Sequence, residues 1–126
     1  MSVYDTRFLI EYFYSADNKV LQKAKLFLRR DNNKYISAVV LHEVYNLTLA
    51  KEGRQTAKLR SNILEKEFKV VNVDAELAVA SAELRYKYRV PMADSIIAAT
   101  AQILRLPCVT DDPHIASIKE IQTVWL

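Results

Sequence analysis

Pro91-Met92-Ala93-Asp94-Ser95-Ile96-Ile97-Ala98-Ala99-Thr100-Ala101-Gln102-Ile103-Leu104, followed closely by Pro107-Cys108-Val109-Thr110, is the stretch that decides the fold. Pro91 stops a helix arriving from upstream and suits the start of the next, so the spacing predicts a helix from about Met92 to Leu104. That helix is apolar nearly all round, which predicts burial. The run from Pro107 to Thr110 predicts a short strand directly after it.

The same alternation continues outward in both directions. Upstream, Asp74 is placed to cap a helix that carries Leu77, Ala80, Ser81, Leu84 and Tyr88 on one face. Phe68 to Val73 predicts a strand, and the polar segment after Gly53 a helix to about Glu67. Ser37 caps a helix to about Lys51 and closes a strand from Lys34. Asp17 caps a helix with Val20, Leu21, Ala24, Phe27 and Leu28 at helical spacing. Ser2 to Asp5 reads as the first strand, and Thr6 to Tyr14 as a short apolar helix. Downstream, a short turn or helix follows Pro113, and Ile121 to Trp125 reads as a last strand. Alternation of this kind implies an α/β fold: a three-layer α/β/α domain with a mostly parallel central sheet of four or five strands. The apolar strands around Val3 and Val109 belong at the sheet centre. With 126 residues, one domain spanning 1–126 is expected.

Composition narrows the class further. No run approaches the roughly 18 uninterrupted apolar residues of a membrane span. The opening Met1-Ser2-Val3-Tyr4-Asp5 lacks the basic-then-apolar pattern of a signal peptide. The single cysteine, Cys108, has no partner for an internal disulfide and lies in an apolar run, so a buried structural thiol in a cytoplasmic protein is expected.

Four of the fifteen acids have settings that surface solvation does not explain. Glu43 is the only acid between Ala38 and Ala50, and Asp94 the only charge between Met92 and Leu104. Both helices are apolar nearly all round, so both acids are expected to be largely buried. Helix capping competes as an explanation for Asp94 but works poorly for Glu43, more than a turn into its helix. Asp5 closes the first strand and Asp112 follows the fourth; singly, each reads as a turn acid. Topology joins them. In an open α/β sheet, strand C-termini and helix N-termini share one edge, where ligands of such sheets bind. Four carboxylates converging there repel one another unless a cation intervenes, and an all-oxygen set favours Mg²⁺ or Mn²⁺.

Other chemistries find no support. His42-Glu43-Val44-Tyr45-Asn46 lacks the second histidine of a zinc-protease HExxH. No Gly-rich phosphate loop or nucleophile elbow occurs. His42 and His114 have no partner at ligand spacing and read as structural or surface residues.

The four acidic segments, taken in order, resemble those of the PIN-domain ribonucleases, and in size and layout the VapC toxins of prokaryotic toxin–antitoxin pairs. Tyr4-Asp5-Thr6-Arg7-Phe8-Leu9-Ile10 resembles the family's opening strand, and Ser37 to Glu43 its second acidic motif. Met92 to Ala101 is similar to its most distinctive helix, and Val109-Thr110-Asp111-Asp112 to its Thr-x-Asp end. There are departures. Arg7 stands where a small polar residue is usual, the turn before Pro91 lacks the usual glycine, and Asp111 offers a second candidate acid, although the Thr-x-Asp register favours Asp112.

The resemblance implies endonucleolytic cleavage of RNA, a homodimer and a VapB-type antitoxin partner. Asp5, Glu43, Asp94 and Asp112 would then be the catalytic, metal-binding acids, holding Mg²⁺ or Mn²⁺. Thr6 and Thr110 would orient neighbouring carboxylates through their hydroxyls; a helix cap is an equal alternative for Thr6. Setting the four acids aside leaves eleven acids against eighteen bases, a net +7 that suits a polyanion. Candidate RNA contacts are Arg7, Arg85, Lys87 and Arg89, the last three interleaved with Tyr86 and Tyr88; basic residues also suit a helix C-terminus on purely structural grounds. The aromatic helix Phe8 to Tyr14 and the helix after Asp17 are the candidate surfaces for dimer or antitoxin contact. Two other readings stay open: an RNA-processing nuclease without an antitoxin, and a non-catalytic RNA-binding module.

Overall fold

In the computed structural model, which describes residues 1–126, five short strands line up in the order β3-β2-β1-β4-β5. They are β1 (Ser2–Tyr4), β2 (Lys34–Ser37), β3 (Lys69–Val71), β4 (Cys108–Val109) and β5 (Thr123–Val124). Every pairing is parallel. Seven helices connect and cover them: α1 (Thr6–Tyr14), α2 (Asn18–Arg30), α3 (Ala38–Glu52), α4 (Arg54–Glu67), α5 (Ala75–Tyr88), α6 (Met92–Leu104) and α7 (Pro113–Ala116). The result is the expected three-layer α/β/α arrangement. β1 sits at the centre with β4 beside it, as the apolar strands around Val3 and Val109 require.

Helix starts follow from local chemistry. Asp17, Ser37 and Asp74 each cap a helix by accepting a backbone N–H, from Lys19, Val39 and Leu77 respectively. Two helices end on a left-handed residue that is not glycine: Arg89 (φ 54°) closes α5 and Arg105 (φ 56°) closes α6. Arg89 thereby does the work of the glycine that the turn before Pro91 lacks, against a preference of about 1–2 kcal/mol.

The main core joins β1, β2 and β4 to α1, α2 and α6. Tyr4, Phe8, Phe27 and Phe68 meet edge-on or tilted, with Tyr4 and Phe8 centroids 4.9 Å apart. The Tyr4 hydroxyl, buried among them, donates to Asp31 at 2.7 Å. A second cluster, including Leu77, Leu84, Ile96 and Ile118, seals α5 against α6. Cys108 is buried, as a structural thiol should be. No helix is long and apolar enough to cross a membrane.

Two expectations need correction. The helix around Glu43 is not largely buried: α3 buries only Val40, Val44 and Thr48 and leaves Leu41, Tyr45 and Leu47 half-covered. It packs against α4, α1 and α6 but leaves several apolar side chains half-covered, so its apolar composition overstates its burial. The rings of α1 are not an exposed excess either. Phe8 is core, and Tyr12 and Phe13 pack against it. Exposed apolar side chains lie on α2 (Leu26), on α4 (Leu59, Ile63) and along α5 and α6 (Val79, Tyr86, Met92, Ile103), among others.

Candidate active site

Asp5 follows β1 and serves as the N-cap position of α1, in extended conformation. Its backbone N–H donates to Val109 O at 3.1 Å, which continues the β1–β4 ladder and fixes the carboxylate at the carboxyl edge of the sheet. Asp112 follows β4 in the same way and caps α7 through Oδ1, which accepts the His114 N–H at 2.8 Å, with Pro113 at the first helical position. Asp94 lies in the first turn of α6, whose start at Pro91 has no side-chain cap. Its carboxylate is therefore not used for capping. Glu43 arrives from the second turn of α3.

Two threonines hold two of these acids. The Thr110 hydroxyl donates to Asp5 Oδ2 at 2.5 Å and accepts the Asp112 N–H at 2.9 Å. The Thr6 hydroxyl donates to Glu43 Oε1 at 2.6 Å. Each threonine thus anchors an acid from a different element.

Ligand atoms of Asp94, Asp112 and His114 lie within 4.8 Å of one another, and electrostatic repulsion couples Asp5 and Glu43 to that group. Asp5, 2 % exposed, titrates at about 6 instead of 3.8: burial raises it most, the Thr110 hydrogen bond opposes, and the charges of Asp112 and Glu43 push it up. Asp94 also rises to about 6, through burial, then repulsion from Asp112 and Asp5, eased by His114, with Glu43 adding further repulsion. The deepest acid is thus Asp5, which local sequence marked as a turn residue, while Glu43 and Asp94 are only half-buried. No lysine or arginine forms an ion pair with any of the four.

Both histidines are exposed, as expected of surface residues, but one has partners that spacing did not reveal. His42 is an exposed residue of α3, but His114 has partners: its Nδ1 lies 3.4 Å from Asp94 Oδ2 and 3.3 Å from Asp112 Oδ1. Spacing missed this contact because Asp94 comes from another helix. The local signal was the Asp-Pro-His order, since a capping aspartate that accepts the N–H two residues on draws that residue to its side.

The candidate cations divide. Arg7 forms a two-point pair with Asp111, Nε–Oδ1 3.0 Å and Nη2–Oδ2 3.2 Å, beside Asp5 and Asp112 in the chain. That contact lowers the Asp111 carboxyl, and Asp111 is exposed. Arg85, Lys87 and Arg89 are exposed at the end of α5, where Lys87 pairs with Glu120 at 3.3 Å. An open cleft of about 620 Å³ beside Glu43 is lined by Thr6, Val39, Leu47, Met92 and Ile96 among others, and by none of these cations. A wider depression of about 900 Å³ along α5 and α6 holds none of the four acids.

Fold and site together define a class: an α/β/α domain with a carboxylate centre at the carboxyl edge of its parallel sheet. A model of the PIN domain matches residues 2–121, and the chain belongs to that family. A search of curated proteins by sequence found no match. Among solved structures, a toxin–antitoxin complex from Klebsiella pneumoniae matches with TM-score 0.77 and 26 % identity, over 98 % of this chain and 96 % of that one. VapBC2 from Rickettsia felis, bound to a DNA fragment from its promoter, matches with TM-score 0.80 and 15 % identity, over 99 % and 98 %. VapC20 from Mycobacterium tuberculosis, a toxin that cleaves the sarcin–ricin loop, matches with TM-score 0.78 and 18 % identity, over 97 % and 99 %. At identities of 15 % and 18 % the last two are likenesses of fold.

Asp111 and Asp112 are expected to separate on mutation. Asp111→Asn frees Arg7 but leaves the acid cluster intact, so any activity that depends on the four acids should change by less than about fivefold, the scale of a surface ion pair. A loss as large as that of Asp112→Asn would show that the last acid had been assigned one residue too late.

Proposed function

We propose that this protein is a divalent-metal-dependent endoribonuclease, the toxin half of a VapBC-type toxin–antitoxin pair, and that Asp5, Glu43, Asp94 and Asp112 form its catalytic metal site. One observation carries the proposal: four carboxylates crowd one sheet edge without a lysine or arginine partner, and two of them are pushed up to about 6 by burial and mutual repulsion. Such a cluster suits a hard cation bound by oxygen ligands. The donor set fits Mg²⁺ or Mn²⁺, because each threonine occupies one carboxylate oxygen and leaves the other for the ion. A bound ion of this kind lowers the pKa of its water and neutralises charge that develops on a scissile phosphate.

The side chains supply position rather than covalent chemistry. Asp5 is held by Thr110 and Glu43 by Thr6, so both carboxylates keep their orientation as substrate enters. Asp112 is fixed by its own capping bond. Arg7, braced by Asp111 at the rim, presents a guanidinium to an incoming phosphate, and the basic remainder of the surface draws RNA toward the acids. The apolar lining of the cleft beside Glu43 suits a hydrophobic segment of an antitoxin, which would cover the site while bound. The family resemblance further implies a homodimer.

Purified protein incubated with single-stranded or looped RNA tests the proposal. Cleavage is expected with Mg²⁺ or Mn²⁺ and none with EDTA, and the same ions should raise the melting temperature. Cleavage that persists in EDTA would overturn the metal assignment, and an absence of cleavage across varied RNAs the nuclease assignment.

A further inference from the structure

His114 stands where an all-carboxylate site would have no use for it. It is the second residue of α7 and projects from the Asp112 cap back toward α6. Its Nδ1 lies 3.3 Å from Asp112 Oδ1 and 3.4 Å from Asp94 Oδ2, and ligand atoms of the three residues all lie within 4.8 Å of one another. Two atoms bound to one ion at about 2.1 Å and at right angles are about 3.0 Å apart. The two histidine–carboxylate separations therefore lie a few tenths of an ångström from those of ligands sharing an ion, with the two carboxylates within 4.8 Å of each other. His114 needs no backbone rearrangement to take part, since its side chain is 55 % exposed and α7 is already fixed by the Asp112 cap and the Ser117 hydroxyl bond to His114 O.

We infer that His114 is a nitrogen ligand of the metal site, joining Asp94 and Asp112 on the same ion and shifting the site's preference from Mg²⁺ toward Mn²⁺ and Co²⁺. The inference rests on the metal site proposed above and adds its selectivity. Imidazole nitrogen is a softer donor than carboxylate oxygen. It contributes little to Mg²⁺, which favours oxygen and keeps its waters, and more to transition ions along the series from Mn²⁺ to Co²⁺. The competing explanation is that His114 only pairs with the two carboxylates. It would then be a rival of every cation, and its removal would strengthen binding of all of them.

Calorimetric titration with Mg²⁺, Mn²⁺ and Co²⁺ alone, on the wild type, His114→Ala and Asp94→Asn, separates these cases. Mn²⁺ electron spin-echo spectra supply a readout independent of cleavage. The wild type is expected to show nitrogen coupling to bound Mn²⁺ and His114→Ala to lack it. Co²⁺ affinity should fall about 10–100-fold in His114→Ala, while Mg²⁺ affinity stays within about twofold. Absence of nitrogen coupling in the wild type, or tighter binding of all three ions by His114→Ala, overturns the inference. Asp94→Asn should weaken all three ions. If it does so while His114→Ala changes nothing, the acid site stands and the histidine ligand falls. If Asp94→Asn binds all three as the wild type does, or the wild type binds none, the metal site falls with it.

Discussion

Asp94→Asn is expected to lower Mg²⁺- or Mn²⁺-dependent RNA cleavage by at least about 100-fold, because the swap keeps shape and removes a ligand charge. The same variant should be more stable than its parent when metal is absent. The rise of Asp94 from 3.8 to about 6 sets an upper bound of roughly 3 kcal/mol lost at full ionisation, which solvent screening of this half-buried carboxyl reduces. Asn is expected to recover about 1–3 kcal/mol of it, since the neighbouring acids relax as well. The sign follows from the direction of the shift. A carboxyl raised on folding binds its proton more tightly in the native state, so its contribution is whole below about pH 4 and fades as pH rises through about 6. The stability gap between variant and parent should therefore be small near pH 4, open across that window and stay level above it. Acids away from the cluster are common to both proteins and cancel in the comparison; Asp31, for example, is held down, against its own burial, by its bonds to the N-terminal amine and Tyr4. Melting curves of the pair from pH 4 to 8, without metal, would check this. An unchanged gap, or cleavage at the parental rate, would remove Asp94 from the site.

Thr110→Val should damage both fold and chemistry. One buried hydroxyl serves two partners, donating to Asp5 and accepting from the Asp112 N–H. Valine fills the same space and satisfies neither, so a loss of about 1–3 kcal/mol is expected. Cleavage should fall about 10–100-fold as the carboxylate of Asp5 loses its orientation. The Asp5 carboxyl should also climb further, because the Thr110 bond is what holds it down. Thr110→Ser keeps the hydroxyl and should restore most of both. Failure of serine to rescue would assign the effect to packing rather than to the hydrogen bonds.

How far the sequence reached depended on the range of the interaction. Helix starts at Asp17, Ser37 and Asp74 were readable because a cap involves residues two or three apart. The parallel sheet was readable because strand–helix alternation leaves few other topologies. Asp5, Glu43, Asp94 and Asp112 were readable as a set once the sheet edge was inferred, but their depths were not. Burial of Asp5 comes from neighbours on both sides of β1, one of them β4, whereas α3 exposes a face that its composition would have buried. The Arg7–Asp111 pair spans 104 positions, and the His114–Asp94 contact joins two helices. Contacts of this kind leave no periodic trace in a single chain.

The bond between Thr110 and Asp5 spans 105 positions and joins a central strand made first to one made nearly last. During synthesis the strand that carries Asp5 is therefore complete long before the one that leads to Thr110. Long-range parallel pairing of this kind forms late and slowly. A chain that lacks β4 and the turn after it therefore has Asp5 without the hydroxyl that orients it and without Asp112 beside it.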